Sequence, residues 1–197
     1  MGGTHHFSPR HMERLISPER RKMLDPAKAL GCLNLRPGMV LADLGAGPGF
    51  FTLDAARMVA PGGKVLAIDI SREMLELCMQ RAGEEGIKNV EPVLATGPHR
   101  YPVATASVDA VLMAVVLHEA DSPAEMLGEV RRMLKPGGAV LLAEWKKEEM
   151  PMGPPLAHRL SPEEVTEEFA VAGFVQGEAC EIGPYHYALR FDSRPHD

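Results

Sequence analysis

A glycine-rich turn and an acid that follows it are the residues whose spacing best predicts chemistry in this sequence. The run Val40-Leu41-Ala42-Asp43-Leu44-Gly45-Ala46-Gly47-Pro48-Gly49 is a β-type stretch that enters three alternating glycines. Glycine permits positive φ angles and lets a ligand approach the main chain, so we expect the amides of the turn to face a ligand. The second predicted strand ends twenty residues after Gly49, at Asp69, where a carboxylate can accept both hydroxyl hydrogens of a ribose. The spacing predicts a nucleoside-binding turn.

Two classes of nucleoside compete for this turn. The dinucleotide fingerprint GxGxxG needs a small last residue because the pyrophosphate lies on the start of the helix. Phe50 stands at that place, and the Asp43 carboxylate would repel a phosphate. A ligand with an ammonium and a sulfonium but no phosphate suits the pattern DxGxGxG. A nicotinamide dehydrogenase is the rival interpretation, opposed by Phe50 and Asp43.

A histidine follows the fourth predicted strand, at the edge where open α/β sheets bind ligands. The run Val115-Val116-Leu117-His118-Glu119 leaves that strand. His118 is placed to accept a proton near neutral pH, and Glu119 is placed to orient it. The alternative is that His118 only caps backbone groups of the next turn. Trp145, after the fifth strand, either walls a substrate or packs beneath a covering segment.

Short apolar runs alternate with helical segments, as in a parallel α/β sheet covered on both faces. The predicted strands are Met39–Leu44, Lys64–Asp69, Val90–Leu94, Val108–Val115 and Ala139–Glu144. Helix starts are predicted at Ser122-Pro123 and Ser161-Pro162, and the first of these helices is predicted to end near Lys135-Pro136-Gly137-Gly138. Phe174–Glu181 and Tyr185–Phe191 predict an antiparallel pair at the end of the sheet.

These motifs resemble those of the class I S-adenosylmethionine-dependent methyltransferases over about Pro37 to Trp145. Residues 43–49 are similar to the family's first motif, and Ala67-Ile68-Asp69-Ile70-Ser71 with Met74 is similar to the second. The later strand and turn patterns are matched by Val108-Asp109-Ala110-Val111 and Leu134-Lys135-Pro136-Gly137-Gly138. The details are most similar to the small branch that includes ubiquinone and menaquinone biosynthesis methyltransferases. The resemblance implies a Rossmann-like, doubly wound α/β sandwich with a seven-stranded, mostly parallel sheet whose last strand is antiparallel.

The resemblance also implies how S-adenosylmethionine would be bound. Gly45 and Gly47 would lie along its methionine part, Asp43 would bind its amino group, and Asp69 would hold the ribose. Ile70 and Met74 would flank the adenine, although Met74 also belongs to an apolar helical stripe. The family often has an acid after the third strand, but this chain does not, so a hydroxyl or a main-chain carbonyl must substitute. The predicted cofactor contacts are Asp43, Gly45, Ala46, Gly47, Asp69, Ile70, Met74, Thr96 and Val115.

Composition narrows the function classes. The chain has 197 residues, 45% of them hydrophobic, and a formal net charge of -6, so we expect one cytoplasmic globular domain and no nucleic-acid partner. No apolar run approaches the roughly 18 residues that cross a bilayer. The cysteines are odd in number and widely spaced, so we expect reduced thiols and neither disulfides nor a zinc site: Cys32, Cys78 and Cys180. No metal site is predicted at His5, His6 and His11, which have no accompanying carboxylate or thiolate at ligand spacing.

Residues 1–24 are predicted to be a lid or a flexible segment, and residues 25–197 the cofactor-binding domain. The proline-rich run Met150–Arg159 resembles a substrate-covering loop of small methyltransferases, and its two methionines fit an apolar acceptor. We therefore predict an S-adenosylmethionine-dependent methyltransferase with a small-molecule acceptor. The alternatives are a non-catalytic S-adenosylmethionine-binding module and a protein methyltransferase. The acceptor and the oligomeric state stay open.

Overall fold

Seven strands form one sheet in the computed structural model, which describes residues 14–194. They are β1 (Val40–Leu44), β2 (Lys64–Asp69), β3 (Val90–Leu94), β4 (Val108–Ala114), β5 (Leu134–Trp145), β6 (Phe174–Cys180) and β7 (His186–Ser193). The order across the sheet is β3-β2-β1-β4-β5-β7-β6. Strands β1 to β5 pair in parallel, and β7 lies antiparallel between β5 and β6. The predicted seven-stranded, mostly parallel sheet with an antiparallel last strand is confirmed.

Helices cover both faces of the sheet. Within residues 14–194 they are α1 (Pro18–Met23), α2 (Pro26–Gly31), α3 (Thr52–Val59), α4 (Arg72–Glu84), α5 (Pro123–Met133) and α6 (Pro162–Val171). Side chains alternate between the faces along each strand, so neighbours such as Leu112 and Met113 enter two different apolar cores. The first core packs against α2, α3 and α4, and the second against α5 and α6. No helix in the described part of the chain is both long and apolar enough to span a bilayer.

Serine caps start the last two helices at the predicted places. The Ser122 hydroxyl accepts the Glu125 N–H at 3.3 Å, and α5 begins at Pro123. Ser161 and Glu164 form a reciprocal capping box at the start of α6. The helix α5 ends at Met133, two residues before the predicted Lys135-Pro136-Gly137-Gly138 run, and β5 begins at the next residue. A proline disfavours helical backbone in the residue before it, so the Lys135-Pro136 step is extended.

The segment that contains α1 and α2 is attached to the hairpin between β6 and β7. The Asp25 N–H donates to the Ile182 carbonyl at 2.9 Å. The hairpin backbone passes so close to α1 that a Cβ at Gly183 would overlap the Met23 carbonyl oxygen. Leu24 is fully buried beside this junction. Of the predicted segment 1–24, residues 1–13 lie outside the described residues, as do His5, His6 and His11.

A disulfide joins Cys32, which follows α2, to Cys180 at the end of β6. The expectation of reduced thiols is therefore wrong for this pair. Linear spacing did not reveal it, because the two cysteines are 148 residues apart and only the sheet order brings β6 beside the N-terminal helices. The third cysteine, Cys78, is free and buried in α4.

The disulfide predicts how many thiols can be titrated per chain. In denatured protein without reductant we expect one titratable thiol per chain, and three after reduction. Reduction should lower the free energy of unfolding by about 2–4 kcal/mol, because the bond closes a long loop in the unfolded chain. A Cys32→Ser variant should show the same loss without reductant. Three thiols in aerobically purified, unreduced protein would contradict the pairing.

Candidate functional site

The glycine turn joins β1 to α3 at the carboxyl edge of the sheet. Gly45 and Gly47 have φ angles of 71° and 52°, in the left-handed region that favours glycine. A Cβ at Gly45 would overlap the side chain of Val116, so this glycine is required by packing. Among residues 14–194, and apart from its two chain neighbours, a Cβ at Gly47 would meet nothing nearer than the Gly45 carbonyl oxygen at 4.0 Å. The space in front of Gly47 is therefore open to a ligand.

The main-chain amides of the turn are already hydrogen-bonded within the protein. The N–H groups of Gly45 and Ala46 donate to the Ile68 carbonyl at 2.9 and 3.0 Å, and that of Gly47 donates to Asp69 Oδ2 at 2.8 Å. The expectation that these amides face a ligand is wrong, because the end of β2 lies beside the turn and takes them up. A turn whose N–H groups are occupied is a poor phosphate site. This pairing is a further argument against a dinucleotide.

Asp69 ends β2 and holds the turn from its open side. Besides the Gly47 amide, it accepts the Ser71 N–H through Oδ1 at 2.9 Å. Each carboxylate oxygen has a second lone-pair direction, so the half-buried side chain retains capacity for two hydroxyl donors. The next residue, Ile70, is 79% exposed, which is unusual for a large apolar side chain. It offers an apolar surface beside the carboxylate.

Asp43 lies beneath the turn and is 2% exposed. Its Oδ2 accepts a hydrogen bond from the Thr52 hydroxyl at 2.6 Å. Burial raises the pKa of Asp43 to about 7; the Thr52 bond and the charge of Arg20 act against the rise, and the Asp69 carboxylate adds to it. A carboxylate that is this poorly solvated is stabilised by a cation placed next to it.

The structure distributes the other predicted cofactor contacts around the same edge. Met74 is 3% exposed and packs into the core with the rest of its helical stripe. Thr96 is exposed, and its hydroxyl turns back to the Arg100 carbonyl at 3.4 Å. Val115 follows β4 with a φ of 61°. A β-branched residue rarely adopts a positive φ, and does so only where the surrounding structure imposes it. Its N–H donates to the Ala143 carbonyl at 2.8 Å, so this strained residue is tied to β5.

His118 lies in a 3-10 turn after β4 and is held by Glu144 of β5. Its Nδ1 is 2.8 Å from Glu144 Oε2, while Glu144 Oε1 accepts the N–H groups of Leu117 and His118 at 2.9 and 3.3 Å. Glu144 is 1% exposed. Burial by itself lowers the pKa of His118, but the hydrogen bond and charge of Glu144, with the charge of Glu119, raise it above its ordinary value.

Glu144 is the partner of His118 that the sequence pattern did not reveal. The predicted partner, Glu119, has a 73% exposed side chain and lies 3.8 Å from the other ring nitrogen, Nε2. The closer partner comes from β5 because β4 and β5 are neighbours in the sheet, so the end of β5 lies under the turn that carries His118. A charged residue inside the otherwise apolar run Ala139–Glu144 was the signal that could have identified it.

Residues 146–159 fold over Trp145. Gly153 lies against the indole, where a Cβ would be 3.0 Å from the ring, and the ring of His186 also packs against it with 4.1 Å between centroids. Arg159 is 5% exposed and donates to four main-chain carbonyls of this loop, those of Lys146, Glu148, Met152 and Pro154. Of the two interpretations of Trp145, the structure supports packing beneath the covering loop.

Comparisons with known proteins agree on one family. The model of a methyltransferase domain family matches residues 35–190. The chain is 32% identical over 126 residues to the demethylmenaquinone methyltransferase of Lactococcus lactis, covering 64% of this chain and 50% of that protein. It is 33% identical over 121 residues to the arsenite methyltransferase of Halobacterium salinarum, covering 58% of this chain and 31% of that protein. The chain thus spans half the length or less of these curated relatives.

A solved structure matches over nearly its whole length. The crystal structure of a SAM-dependent methyltransferase from Aquifex aeolicus is 34% identical and superposes with a TM-score of 0.87. The match covers 94% of this chain and 98% of that one.

The raised pKa of Asp43 predicts a pH-dependent stability. In the unfolded chain this carboxyl ionises near pH 4, whereas in the folded protein its pKa is about 7. Ionisation is therefore harder in the folded protein, and the free energy of unfolding falls as pH rises from about 4 to about 7. Asp43→Asn removes this loss and keeps an acceptor for Thr52. In ligand-free protein, the Tm of the variant minus that of the wild type should increase by several degrees between about pH 5 and about pH 8.

Thermal unfolding followed by circular dichroism measures this difference. Asp121→Asn, at an exposed position, is the matched control and should show a difference that does not change with pH. A pH-independent difference for Asp43→Asn as well would contradict a poorly solvated carboxylate at that position.

Proposed function

The chain belongs to the class I S-adenosylmethionine-dependent methyltransferases, and from this premise we propose that it transfers a methyl group from S-adenosylmethionine to a small-molecule acceptor. The observation that carries the proposal is the His118–Glu144 pair beside the glycine turn. Val116, two residues before His118, packs so closely against Gly45 that no side chain fits there. A proton acceptor therefore lies next to the turn that would hold the cofactor.

The described residues fit S-adenosylmethionine and do not fit a phosphate. The open space in front of Gly47, the remaining acceptor capacity of Asp69 and the exposed side chain of Ile70 suit an adenosine. The buried carboxylate of Asp43 suits the ammonium of the methionine part. When bound, S-adenosylmethionine supplies a methyl group on a positively charged sulfur, and this methyl is transferred by in-line displacement.

His118 would take up the proton that the acceptor gives up. A neutral oxygen or carbon acid must lose a proton when it is methylated, and a histidine whose pKa is raised by a neighbouring carboxylate is a stronger base for that proton. Because Nδ1 donates to Glu144, Nε2 is the ring nitrogen that keeps a lone pair to take up the proton. The buried Glu144 carboxylate stabilises the imidazolium that forms. In this proposal Glu144 is a positioning residue.

The acceptor that we propose is a small apolar organic molecule with an ionisable O–H or C–H. This chemistry is closer to that of the demethylmenaquinone methyltransferase than to that of the arsenite methyltransferase. A soft arsenic centre prefers thiolate ligands. Here two cysteines are joined to each other, and burial raises the pKa of Cys78 to about 11, so no thiolate is on offer. The covering loop supplies Met150 and Met152 as apolar side chains.

We propose a cytoplasmic enzyme without a nucleic-acid partner, as predicted from the sequence. The formal net charge of -6 supports the second point, because a polyanion would be repelled. A non-catalytic S-adenosylmethionine-binding module and a protein methyltransferase are the alternatives that the following experiment separates from the proposal.

An acceptor screen tests the function. Purified protein is incubated with S-adenosylmethionine and one acceptor at a time, and formation of S-adenosylhomocysteine is measured. We expect turnover with quinol- or phenol-type acceptors and none with arsenite. Binding of S-adenosylmethionine by calorimetry with no turnover on any acceptor would favour the non-catalytic module. Turnover on unfolded protein or peptides alone would favour a protein methyltransferase.

Substitutions in the His118–Glu144 pair test the mechanism. His118→Ala should lower kcat by about 100-fold or more, while the Kd for S-adenosylmethionine changes less than about threefold. Glu144→Gln keeps an acceptor for the backbone N–H groups but removes the charge, so the pKa of His118 should fall. Activity requires the neutral imidazole, so the rise of kcat with pH should move to lower pH in this variant.

NMR titration of the His118 ring gives the same pKa without an acceptor. Glu119→Gln is the control and should shift the titration less, since that side chain is exposed and further away. A His118 pKa that is unchanged in Glu144→Gln would remove Glu144 from the proposed role, whatever its effect on kcat.

A further inference from the structure

We infer that Arg20 binds the carboxylate of the methionine part of S-adenosylmethionine, so that α1 completes the cofactor site from outside the matched methyltransferase domain. The inference rests on the proposed function, since it concerns the same cofactor. Arg20 precedes residue 35, where the match to the family model begins. No motif of the domain therefore predicts a role for it.

Arg20 lies over the first aromatic residue after the glycine turn. Its guanidinium carbon is 4.3 Å from the ring centroid of Phe50, a cation–π distance. One terminal nitrogen, Nη1, donates to the Leu15 carbonyl at 2.6 Å. Among the described residues no carboxylate oxygen lies within 4.0 Å of this guanidinium. A partly buried cation therefore lies beside the turn without a carboxylate partner among residues 14–194.

The charges around Arg20 place it between the turn and the β6–β7 hairpin. Burial lowers the pKa of Arg20 to about 10, and the charge of Asp43 opposes this fall. On the hairpin side, the same guanidinium contributes to the lowered pKa of His186, which is due mainly to burial. The Arg20 guanidinium lies over Phe50, directly after the turn that Asp43 precedes, and Arg20 and Asp43 form no ion pair within 4.0 Å.

An α-amino acid is the chemical group that fits two opposite charges arranged in this way. Its ammonium matches the carboxylate of Asp43, and its carboxylate matches the planar fork of N–H donors on Arg20. Each protein charge is poorly solvated, so each gains more from a ligand charge than an exposed residue would. Together they select a zwitterion, and S-adenosylmethionine carries one.

The position of Arg20 is fixed before any ligand binds. The hydroxyl of Ser17 caps the start of α1, and Arg21 forms an ion pair with Asp54 of α3 at 2.7 Å. At the other end, the Met23 carbonyl accepts a hydrogen bond from Nδ1 of His186 at 3.3 Å. Three attachments on six helical residues lower the entropy that Arg20 loses on binding a carboxylate.

Binding of two ligands that differ only in the carboxylate tests the inference. The ligands are S-adenosylmethionine and its decarboxylated analogue, which keeps the amino group, and the measurement is the Kd by calorimetry. Arg20→Met should weaken binding of S-adenosylmethionine by about 10-fold to 100-fold, the effect of a lost charge-assisted hydrogen bond. Its affinity for the decarboxylated analogue should change less than about threefold.

Lys22→Met is the matched control, because it removes a positive charge from an exposed position of the same helix and should leave the ratio of the two affinities unchanged. Equal losses for both ligands in Arg20→Met, at an unchanged Tm, would mean that Arg20 supports the turn without touching the carboxylate, and would overturn the inference. Unchanged affinity for both ligands would overturn it as well. Wild-type protein that binds neither ligand would instead overturn the proposed function.

Discussion

The hydrogen bonds between the glycine turn and the end of β2 are the constraint on which the site depends. The Ile68 carbonyl and the Asp69 carboxylate take the N–H groups of Gly45, Ala46 and Gly47. This pairing fixes the left-handed turn and aims Asp69 at the open space in front of Gly47. It also removes the donors that a phosphate would need. Hydrogen bonds made inside the protein thus disfavour a phosphate at this turn.

Two buried acids then set the electrostatics of the carboxyl edge, and they differ in how they are compensated. Glu144 accepts hydrogen bonds from two backbone N–H groups and from His118, so its charge is satisfied within the fold. Asp43 has the Thr52 hydroxyl but no ion-pair partner among the described residues, and burial raises its pKa to about 7. Glu144 raises the pKa of His118, whereas the Asp43 carboxylate would be stabilised by a positive charge on a bound ligand.

The sequence predicted what local patterns determine and missed what sheet order determines. The sheet, the capped helices at Pro123 and Pro162 and the left-handed turn follow from apolar periodicity, serine caps and glycine spacing. Two features depend on which strands become neighbours. They are the pairing of His118 with Glu144 instead of the predicted Glu119, and the disulfide between Cys32 and Cys180. Free amides at Gly45 and Gly47 were a wrong prediction of the same kind, because their acceptors belong to another strand.

Helix α1 and the loop of residues 146–159 meet at one histidine. His186, at the start of β7, donates to the Met23 carbonyl of α1 and packs against the ring of Trp145. Trp145 precedes the loop whose main-chain carbonyls accept hydrogen bonds from Arg159. Burial lowers the pKa of His186 to about 4, so it stays neutral and can hold both contacts near neutral pH. Helix α1 and Trp145 therefore contact the same imidazole ring. The side that would bind the cofactor and the side that would cover the acceptor are joined by direct contact, and the strand order that places β7 beside β5 makes this possible.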